Sequence, residues 1–378
     1  MTKILRTTTV PGSLNNFCRG LLGELRREGY EVVAVSSPGQ ALDEVAAREG
    51  VRTYAVPMER HIAPLADVRS LWRLVRVLRR ERPDMIHSMT PKAGLLSMMA
   101  GWLTRVPVRV HTFTGLVFPT ATGMKRRLLM ATDWLTCACA THVVPEGQGV
   151  LADLRNNGIT RKPMHVLGHG NVRGIDLARF DPELPEVQRA AEPLRRPGVL
   201  TFVFVGRLVG DKGINELVAA FAALHAVRPD TRLVLVGRAE PDLDPLHPDT
   251  TALIENHPAI EAVGAQSDVR PWLAAADVLV LPSYREGFPN VVIEAGAMGL
   301  PCIVTDINGS REIIIDGRNG VIVPPRQADT LRRAMDLLAS DADLRRRLAA
   351  EARPLIASRY EQSYVRRCLK EYYKEILG

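Results

Sequence analysis

Short β-branched, apolar runs alternate with amphipathic stretches of helical periodicity along nearly all 378 residues of the chain. The strand-like runs cover residues 3–7, 31–35, 52–56, 84–87, 108–111, 142–144, 165–167, 200–205, 232–236, 260–263, 278–281, 302–305 and 321–323. Helical periodicity fills the intervals, for example over 14–27, 68–80, 214–227 and 331–338. Such alternation predicts parallel sheets covered by helices on both faces. Thirteen strands are too many for one open sheet of ordinary size, so we expect two Rossmann-like α/β domains.

The alternation lapses between residues 168 and 198, which are rich in glycine and proline and contain no strand-like run. We therefore predict an N-terminal domain over 1–168, a linker over 169–198 and a C-terminal domain over 199–353. Residues 354–378 should be helices that pack back toward the first domain. Ligands of open α/β sheets bind beyond the carboxyl ends of the strands, so we expect the site in a cleft between two facing domains.

Composition excludes several classes of protein. Five scattered cysteines without a C-x-x-C pair do not suit a disulfide framework or a zinc ribbon. The first residues lack the apolar core of a signal peptide, and no run of about 18 apolar residues follows. We therefore expect a cytoplasmic protein.

The net charge of +7 is unevenly distributed. Residues 1–168 contain 23 Lys and Arg against 13 Asp and Glu, whereas the remainder contains 26 against 29. The first half should therefore face something anionic: nucleic acid, an acidic membrane leaflet or a phosphorylated substrate.

One group of residues suited to binding a diphosphate follows the strand-like run 200–205. Gly206-Arg207 and Lys212-Gly213 place two cations and two glycines on one loop that precedes a helix. Glycines allow close backbone approach and helix N-termini favour anions. The same spacing also fits two solvated surface cations.

A second group follows the strand-like run 278–281. Glu286 lies on the strand-to-helix loop, Pro289 suits the first turn of the helix, and Glu294 lies inside that helix. A carboxylate among apolar residues needs a partner, which ligand hydroxyl groups would supply. A basic side chain or solvent would serve Glu294 equally well.

Together these residues resemble the retaining glycosyltransferases of family 4, which have the GT-B fold. The resemblance rests on Gly206-Arg207-Leu208…Lys212-Gly213, on the Glu-x7-Glu pair Glu286 and Glu294, and on the junction 170–176. In the first half, 1–10, 33–39, 87–94 and 111–115 are similar to capsule and O-antigen sugar transferases.

The resemblance implies roles for residues of the second half. Arg207 and Lys212 would hold and stabilise the departing diphosphate, Glu286 would face the donor sugar or its phosphates, and Glu294 would bind the ribose. Gly206, Gly287, Phe288, Pro289 and Asn290 would line the donor pocket. The resemblance also implies front-face attack by the acceptor hydroxyl, with retention of configuration at the anomeric carbon. It further implies uridine diphosphate as the carrier of the donor sugar, and neither a cofactor nor a metal ion.

In the first half, the chain departs from many relatives. Thr114-Gly115 stands where they carry His-Gly, and His111 lies three residues earlier. His111 is therefore either a catalytic residue or a packed strand residue. His87 is either an acceptor-side residue or a hydrogen-bonded strand-end histidine. Gly12, Ser13, Lys92 and Thr114 complete the expected acceptor side.

Two basic amphipathic helices account for much of the positive charge. One carries Arg69, Arg73, Arg76, Arg79, Arg80 and Arg82 beside an apolar stripe of Leu71, Trp72, Leu74, Val75 and Leu78. The other contains Lys125-Arg126-Arg127 and Trp134. The pattern of each segment also fits an ordinary core-facing helix, but both segments suit an anionic membrane interface. We therefore expect peripheral attachment to the inner face of the cell membrane and a polyprenyl-diphosphate-linked sugar acceptor.

Three rival functions differ in testable ways. A nucleotide-sugar 2-epimerase of the same fold would convert the donor without an acceptor. A catalytically silent, membrane-associated binding subunit would bind without turnover. Nucleic-acid binding is disfavoured, because the basic segments lack an interleaved aromatic platform.

Overall fold

The computed structural model describes residues 1–59, 61, 63–241 and 244–378, and these form two compact units. The first unit comprises Met1–Gly174 and Ser363–Gly378, and the second comprises Ile175–Gln362. The described residues contain two sheets of six parallel strands each. The predicted α/β fold class of two Rossmann-like domains is confirmed.

The sheet of the first unit has the strand order β3-β2-β1-β4-β5-β6, which is the doubly wound order of a Rossmann fold. Its strands are β1 (Lys3–Thr7), β2 (Glu31–Ser36), β3 (Arg52–Ala55), β4 (Met85–Met89), β5 (Val108–Phe113) and β6 (His142–Pro145). Its helices are α1 (Pro11–Phe17), α2 (Leu21–Arg27), α3 (Gln40–Glu49), α4 (Pro64–Glu81), α5 (Pro91–Leu103), α6 (Gly123–Cys139) and α7 (Gln148–Asn156). A C-terminal helix, Gln362–Leu377, also packs on this unit.

The second unit repeats this plan with the strand order β12-β11-β10-β7-β8-β9. Its strands are β7 (Leu200–Val205), β8 (Thr231–Val236), β9 (Ile260–Gly264), β10 (Val278–Leu281), β11 (Cys302–Thr305) and β12 (Gly320–Val323). Its helices are α8 (Pro185–Ala191), α9 (Ile214–His225), α10 (Pro248–Asn256), α11 (Arg270–Ala274), α12 (Asn290–Ala297), α13 (Ser310–Ile313), α14 (Ala328–Ser340) and α15 (Ala342–Tyr360). In this numbering the C-terminal helix is α16.

Three features of the structure differ from what the sequence predicts. Residues 165–167 form no strand, since Met164 makes only an isolated bridge to Val143. The predicted helix over 14–27 is two helices, because Gly20 adopts a left-handed conformation (φ 76°) that separates α1 from α2. Along the chain, the boundaries between the two units fall after Gly174 and after Gln362, whereas the sequence suggested 168 and 353. The segment predicted as a linker contains α8.

Successive residues of each strand in the first sheet point to opposite faces, so the sheet separates two hydrophobic cores. Leu5 packs with Leu74 and the rest of the α4–α5–α6 layer, whereas Ile4 packs with Tyr373 and the helices of the opposite face, α1, α2, α3 and α16. Along β4 and β5 the same alternation directs His111 to the α5 face, while His87 is directed to the α16 face.

His111 is enclosed between β5 and α5. Its Nδ1 lies 2.8 Å from the Ser88 hydroxyl oxygen. Its ring packs edge-on against the Phe113 ring, with 4.4 Å between the two ring centroids. A Cβ added to Gly94 of α5 would lie 2.3 Å from the ring, so the helix approaches the imidazole as closely as a glycine permits. Burial lowers the pKa of His111 to about 3, which keeps the ring neutral.

A buried polar cluster holds α16 against the sheet. The Arg6 guanidinium of β1 donates to His87 Nδ1 at 2.8 Å and also contacts the Tyr373 hydroxyl. The Tyr373 hydroxyl lies 2.6 Å from the same imidazole nitrogen. Burial lowers the pKa of His87 well below its usual range, aided by the neighbouring Arg6 charge. A neutral ring then accepts at Nδ1 and donates from Nε2 to Thr112 Oγ1 at 2.7 Å.

We expect Gly94→Ala to destabilise the protein by about 1–3 kcal/mol, because the new methyl group overlaps the enclosed His111 ring. Adding His111→Ala should remove most of that penalty in a double-mutant cycle of urea unfolding. Gly12→Ala is the matched control, since no atom lies within 4 Å of the added Cβ. Equal stability of Gly94→Ala and the parent would show that α5 does not enclose the ring.

Tyr373→Phe should lower the free energy of unfolding of the first unit by about 1–3 kcal/mol, the cost of leaving a buried polar group without a partner. Tryptophan fluorescence during urea unfolding reports mainly on this unit, which contains three of the four tryptophans. Tyr372→Phe is the control, because its ring contact with His142 survives the change. Equal effects of the two substitutions would contradict the anchoring role of the Tyr373 hydroxyl.

Candidate active site

The predicted diphosphate loop follows β7 and lies against the loop that follows β10. Because β7 and β10 are adjacent parallel strands, their carboxyl ends meet at the same edge of the second sheet. Gly213, which precedes α9, has φ +71°, and a Cβ there would lie 2.1 Å from the Pro282 carbonyl oxygen. Only glycine combines this conformation with so close an approach.

Three polar contacts join the two loops. Lys212 Nζ forms an ion pair with Glu286 Oε1, and both side chains are largely buried, with 17% and 16% of their surface exposed. Arg285 Nη2 lies 2.8 Å from Asp211 Oδ2, and the Tyr284 N–H donates to the Asp211 carbonyl oxygen at 2.9 Å. The structure thus brings together one predicted cation and one predicted carboxylate that are 74 residues apart in sequence.

Arg207 lies at the start of the first loop and is more exposed. Its Nη1 is 3.0 Å from Glu240 Oε2, in an ion pair of which about two fifths of each side chain is exposed. Both candidate phosphate-binding cations are therefore paired with carboxylates. A bound diphosphate would replace these carboxylates as the partner of the two cations.

The remaining donor-side residues lie along the second loop and α12. Phe288 is buried, with its ring edge-on to Tyr360 at 5.5 Å. A Cβ on Gly309 would lie 2.4 Å from the Gly287 carbonyl oxygen, so the loop before α13 packs against this segment. Pro289 precedes α12, whose first N–H groups can bind an anion. Glu294 lies in the second turn of α12 and is half-buried.

Several charged residues of this site were missed in the sequence. Glu240 follows β8, the other neighbour of β7, and Asp244 accepts the Asp211 N–H at 2.6 Å. Tyr284 donates to Glu216 Oε1 at 2.6 Å, and burial, together with this carboxylate, raises the pKa of its hydroxyl. The strand order was the missing signal, because it decides which loops become neighbours.

The geometry of the first unit favours one alternative for each histidine. His111 is enclosed under α5, which supports the packed-strand interpretation rather than a catalytic one. His87 is hydrogen-bonded within the sheet and borders a cavity of about 20 Å³, room for about one water molecule.

The other acceptor-side residues lie near the carboxyl ends of β1, β4 and β5. Gly12 and Ser13 lie in the first turn of α1, Lys92 lies in the first turn of α5, where it pairs with Asp67, and Thr114 follows β5. A 2.8 Å hydrogen bond between the hydroxyls of Thr9 and Thr90 joins the loops after β1 and β4. Thr90 has φ +69°, a strained conformation for a β-branched residue.

Within the described residues, no group of three or more His, Cys, Asp or Glu side chains is arranged to hold a metal ion. No helix formed by these same described residues is long and apolar enough to cross a membrane.

Comparison with protein families gives one match in each half of the chain. Residues 12–170 match the family described as a glycosyl transferase 4-like domain. Residues 188–354 match the family described as glycosyl transferases group 1.

Curated relatives extend over most of the chain. The Staphylococcus aureus capsular polysaccharide biosynthesis glycosyltransferase CapM is 27% identical over 376 residues, which are 99% of this chain and 97% of the relative. The Escherichia coli UDP-Gal:alpha-D-GlcNAc-diphosphoundecaprenol alpha-1,3-galactosyltransferase is 28% identical, with 78% of this chain and 76% of the relative covered. A Campylobacter jejuni N,N'-diacetylbacillosaminyl-diphospho-undecaprenol alpha-1,3-N-acetylgalactosaminyltransferase is 27% identical, with 80% and 82% covered.

Solved structures share the fold. Anabaena HepE in complex with UDP has a TM-score of 0.81 at 16% identity and covers 99% of this chain and 100% of its own. WaaG, a glycosyltransferase involved in lipopolysaccharide biosynthesis, has a TM-score of 0.73 at 17% identity and covers all of both chains. With a glycosyltransferase family matched in each unit, the chain belongs to the glycosyltransferases of the GT-B fold, with a 4-like domain followed by a group 1 domain.

Proposed function

We propose that this glycosyltransferase transfers a hexosyl or N-acetylhexosaminyl group from a UDP-sugar to a polyprenyl-diphosphate-linked sugar during synthesis of a bacterial surface polysaccharide. The names of the relatives support both substrates: the Escherichia coli protein uses UDP-Gal and a diphosphoundecaprenol acceptor, and the Staphylococcus aureus protein belongs to capsule synthesis. The proposal includes retention of the donor's anomeric configuration and uses no metal ion.

The observation that carries the proposal is the pair of loops joined at the carboxyl ends of β7 and β10. They place Lys212 beside Glu286 and precede the N-termini of α9 and α12. A leaving nucleoside diphosphate develops negative charge as the sugar–phosphate bond breaks. Fixed cations and N–H dipoles stabilise such charge without a metal.

Four charged side chains of the donor side then have defined tasks. Lys212 and Arg207 exchange their carboxylate partners for phosphate oxygens. Glu286, released from Lys212, accepts hydrogen bonds from the sugar hydroxyls. Glu294, further along α12, binds the ribose hydroxyls.

The transfer itself exchanges one bond at the anomeric carbon. The bond between that carbon and the diphosphate oxygen breaks, and a bond to the acceptor oxygen forms on the same face. The acceptor proton passes to the departing phosphate oxygen. His111 takes no part in this scheme, because it is enclosed under α5.

Arg207→Ala should weaken UDP binding at least tenfold, about 1.5 kcal/mol, because a charge-assisted hydrogen bond to phosphate is lost. Isothermal titration calorimetry measures the affinity directly. Arg346→Ala is the control, since this exposed arginine pairs only with its helix neighbour Asp343 among the described residues. Unchanged UDP affinity in Arg207→Ala would remove Arg207 from the donor site.

Glu286→Gln should separate binding from turnover. UDP should bind as tightly as to the parent or more tightly, because Lys212 loses a competing carboxylate. The value of kcat should fall at least about tenfold, because a hydrogen bond to the reacting sugar weakens. Assays with a short-chain prenyl-diphosphate-linked acceptor in the presence of EDTA measure kcat, and NMR of the product reports its anomeric configuration.

Parent-like turnover by Glu286→Gln would contradict the role of this carboxylate. An epimerised donor without acceptor transfer by the parent would identify a 2-epimerase. UDP-sugar binding with neither reaction would identify a silent binding subunit.

A further inference from the structure

Two ion pairs of opposite polarity lie side by side between the loop after β7 and the loop after β10. Lys212 pairs with Glu286, and the residues that precede them, Asp211 and Arg285, pair with each other. The first loop therefore supplies the cation of one pair and the carboxylate of the other. In the proposed function the donor breaks only the pair of Lys212 with Glu286.

This exchange removes one connection between the two loops at the moment when their relative position matters most. Lys212 turns to a phosphate oxygen, and Glu286 turns to the sugar hydroxyls of the same donor molecule. In such an arrangement a misplacement of about 1 Å can slow a reaction about a hundredfold. Contacts that do not involve these two side chains must therefore hold the loops in the donor complex.

Asp211 is attached to the second loop through both its side chain and its backbone. Its Oδ2 lies 2.8 Å from Arg285 Nη2, and 26% of the Asp211 side chain and 38% of the Arg285 side chain are exposed. Its carbonyl oxygen accepts the Tyr284 N–H at 2.9 Å. The Asp211 N–H donates to Asp244 Oδ2 at 2.6 Å, which fixes the aspartate on its own side.

The side chain of Tyr284 attaches the second loop to α9, the helix that follows the first loop. Its hydroxyl donates to Glu216 Oε1 at 2.6 Å, in the first turn of that helix. The Arg326 guanidinium lies over the Tyr284 ring, 4.3 Å from its centroid, and adds a cation–π contact from the loop after β12. The ring is thus held at its face and at its hydroxyl.

We propose that Asp211, Tyr284 and Arg285 are positioning residues, which hold the two loops of the donor site together after the donor has broken the ion pair between Lys212 and Glu286. We call their contacts the loop clasp: the pair of Asp211 with Arg285, the Tyr284 N–H bond to Asp211, and the Tyr284 hydroxyl bond to Glu216. The assignment rests on the proposed function, because it concerns the donor complex.

The first test needs no donor, because Glu286→Gln removes the same ion pair that the donor breaks. Amide hydrogen exchange is measured in residues 206–213 and 284–294, and circular dichroism verifies folding. Exchange should stay within about twofold of the parent in Glu286→Gln and in Arg285→Gln, since one ion pair still joins the loops in each. It should become at least about tenfold faster in Arg285→Gln/Glu286→Gln, which has neither pair.

Arg318→Gln/Glu286→Gln is the matched control for this cycle. Arg318 pairs with Glu351 at 2.9 Å, outside both loops. The control should exchange like Glu286→Gln alone. Equal exchange in the two double variants would overturn the loop clasp.

The second test separates positioning from direct contact with the donor. Arg285→Gln and Asp211→Asn should each lower kcat at least about tenfold, while the UDP affinity measured by calorimetry changes less than about threefold. Arg285→Lys should recover most of the lost kcat, because a lysine can still pair with Asp211. If Arg285 itself held a phosphate oxygen, Arg285→Gln would weaken UDP binding, whereas Asp211→Asn would strengthen it by freeing the arginine. Such opposite effects would overturn the proposal.

The loop clasp and the proposed function fail in different ways. If the parent binds no UDP and transfers no sugar, the proposed function fails, and the donor-free exchange cycle decides whether the clasp joins the loops. If the parent transfers sugar and both Asp211→Asn and Arg285→Gln do so at the parental rate, the clasp fails and the proposed function stands.

Discussion

The proposed donor site depends on the adjacency of two parallel strands, β7 and β10, in the second sheet. It brings the loop after Val205 against the loop after Leu281, and the glycine at 213 permits the contact with the Pro282 carbonyl. The ion pair between Lys212 and Glu286 then forms across the two loops. In the proposed function, donor binding breaks this ion pair, and a phosphate oxygen replaces the Glu286 carboxylate as the partner of Lys212.

The first unit uses the two faces of its sheet differently. On one face the buried cluster of Arg6, His87 and Tyr373 attaches α16 to the strands. On the other face α4, α5 and α6 cover the core and present indoles and arginines outward. The anchored helix α16 and the layer of α4, α5 and α6 therefore lie on opposite faces of the same sheet.

The alternation of strand and helix in the sequence was sufficient to predict the two Rossmann-like domains, because parallel strands and their crossover helices have strong patterns. The resemblance to family 4 glycosyltransferases, rather than spacing, implied that Lys212 and Glu286 share one site, and the structure places them in one ion pair. Sequence could not predict Glu240 as the partner of Arg207, because that contact depends on β8 being next to β7. Nor could it predict that Trp72 points outward, since the position lies at the edge of the apolar stripe. The environment of His111 depends on Gly94, a residue of the preceding helix whose role appears only in three dimensions.

Amide hydrogen exchange of the full chain, with and without saturating UDP, tests the donor site most directly. If these loops bind UDP, amide exchange slows in residues 206–213 and 284–294 and changes little in 85–113. Protection centred on the strands around His87 and His111, or no protection in either loop of the second unit, would contradict the assignment of the donor site.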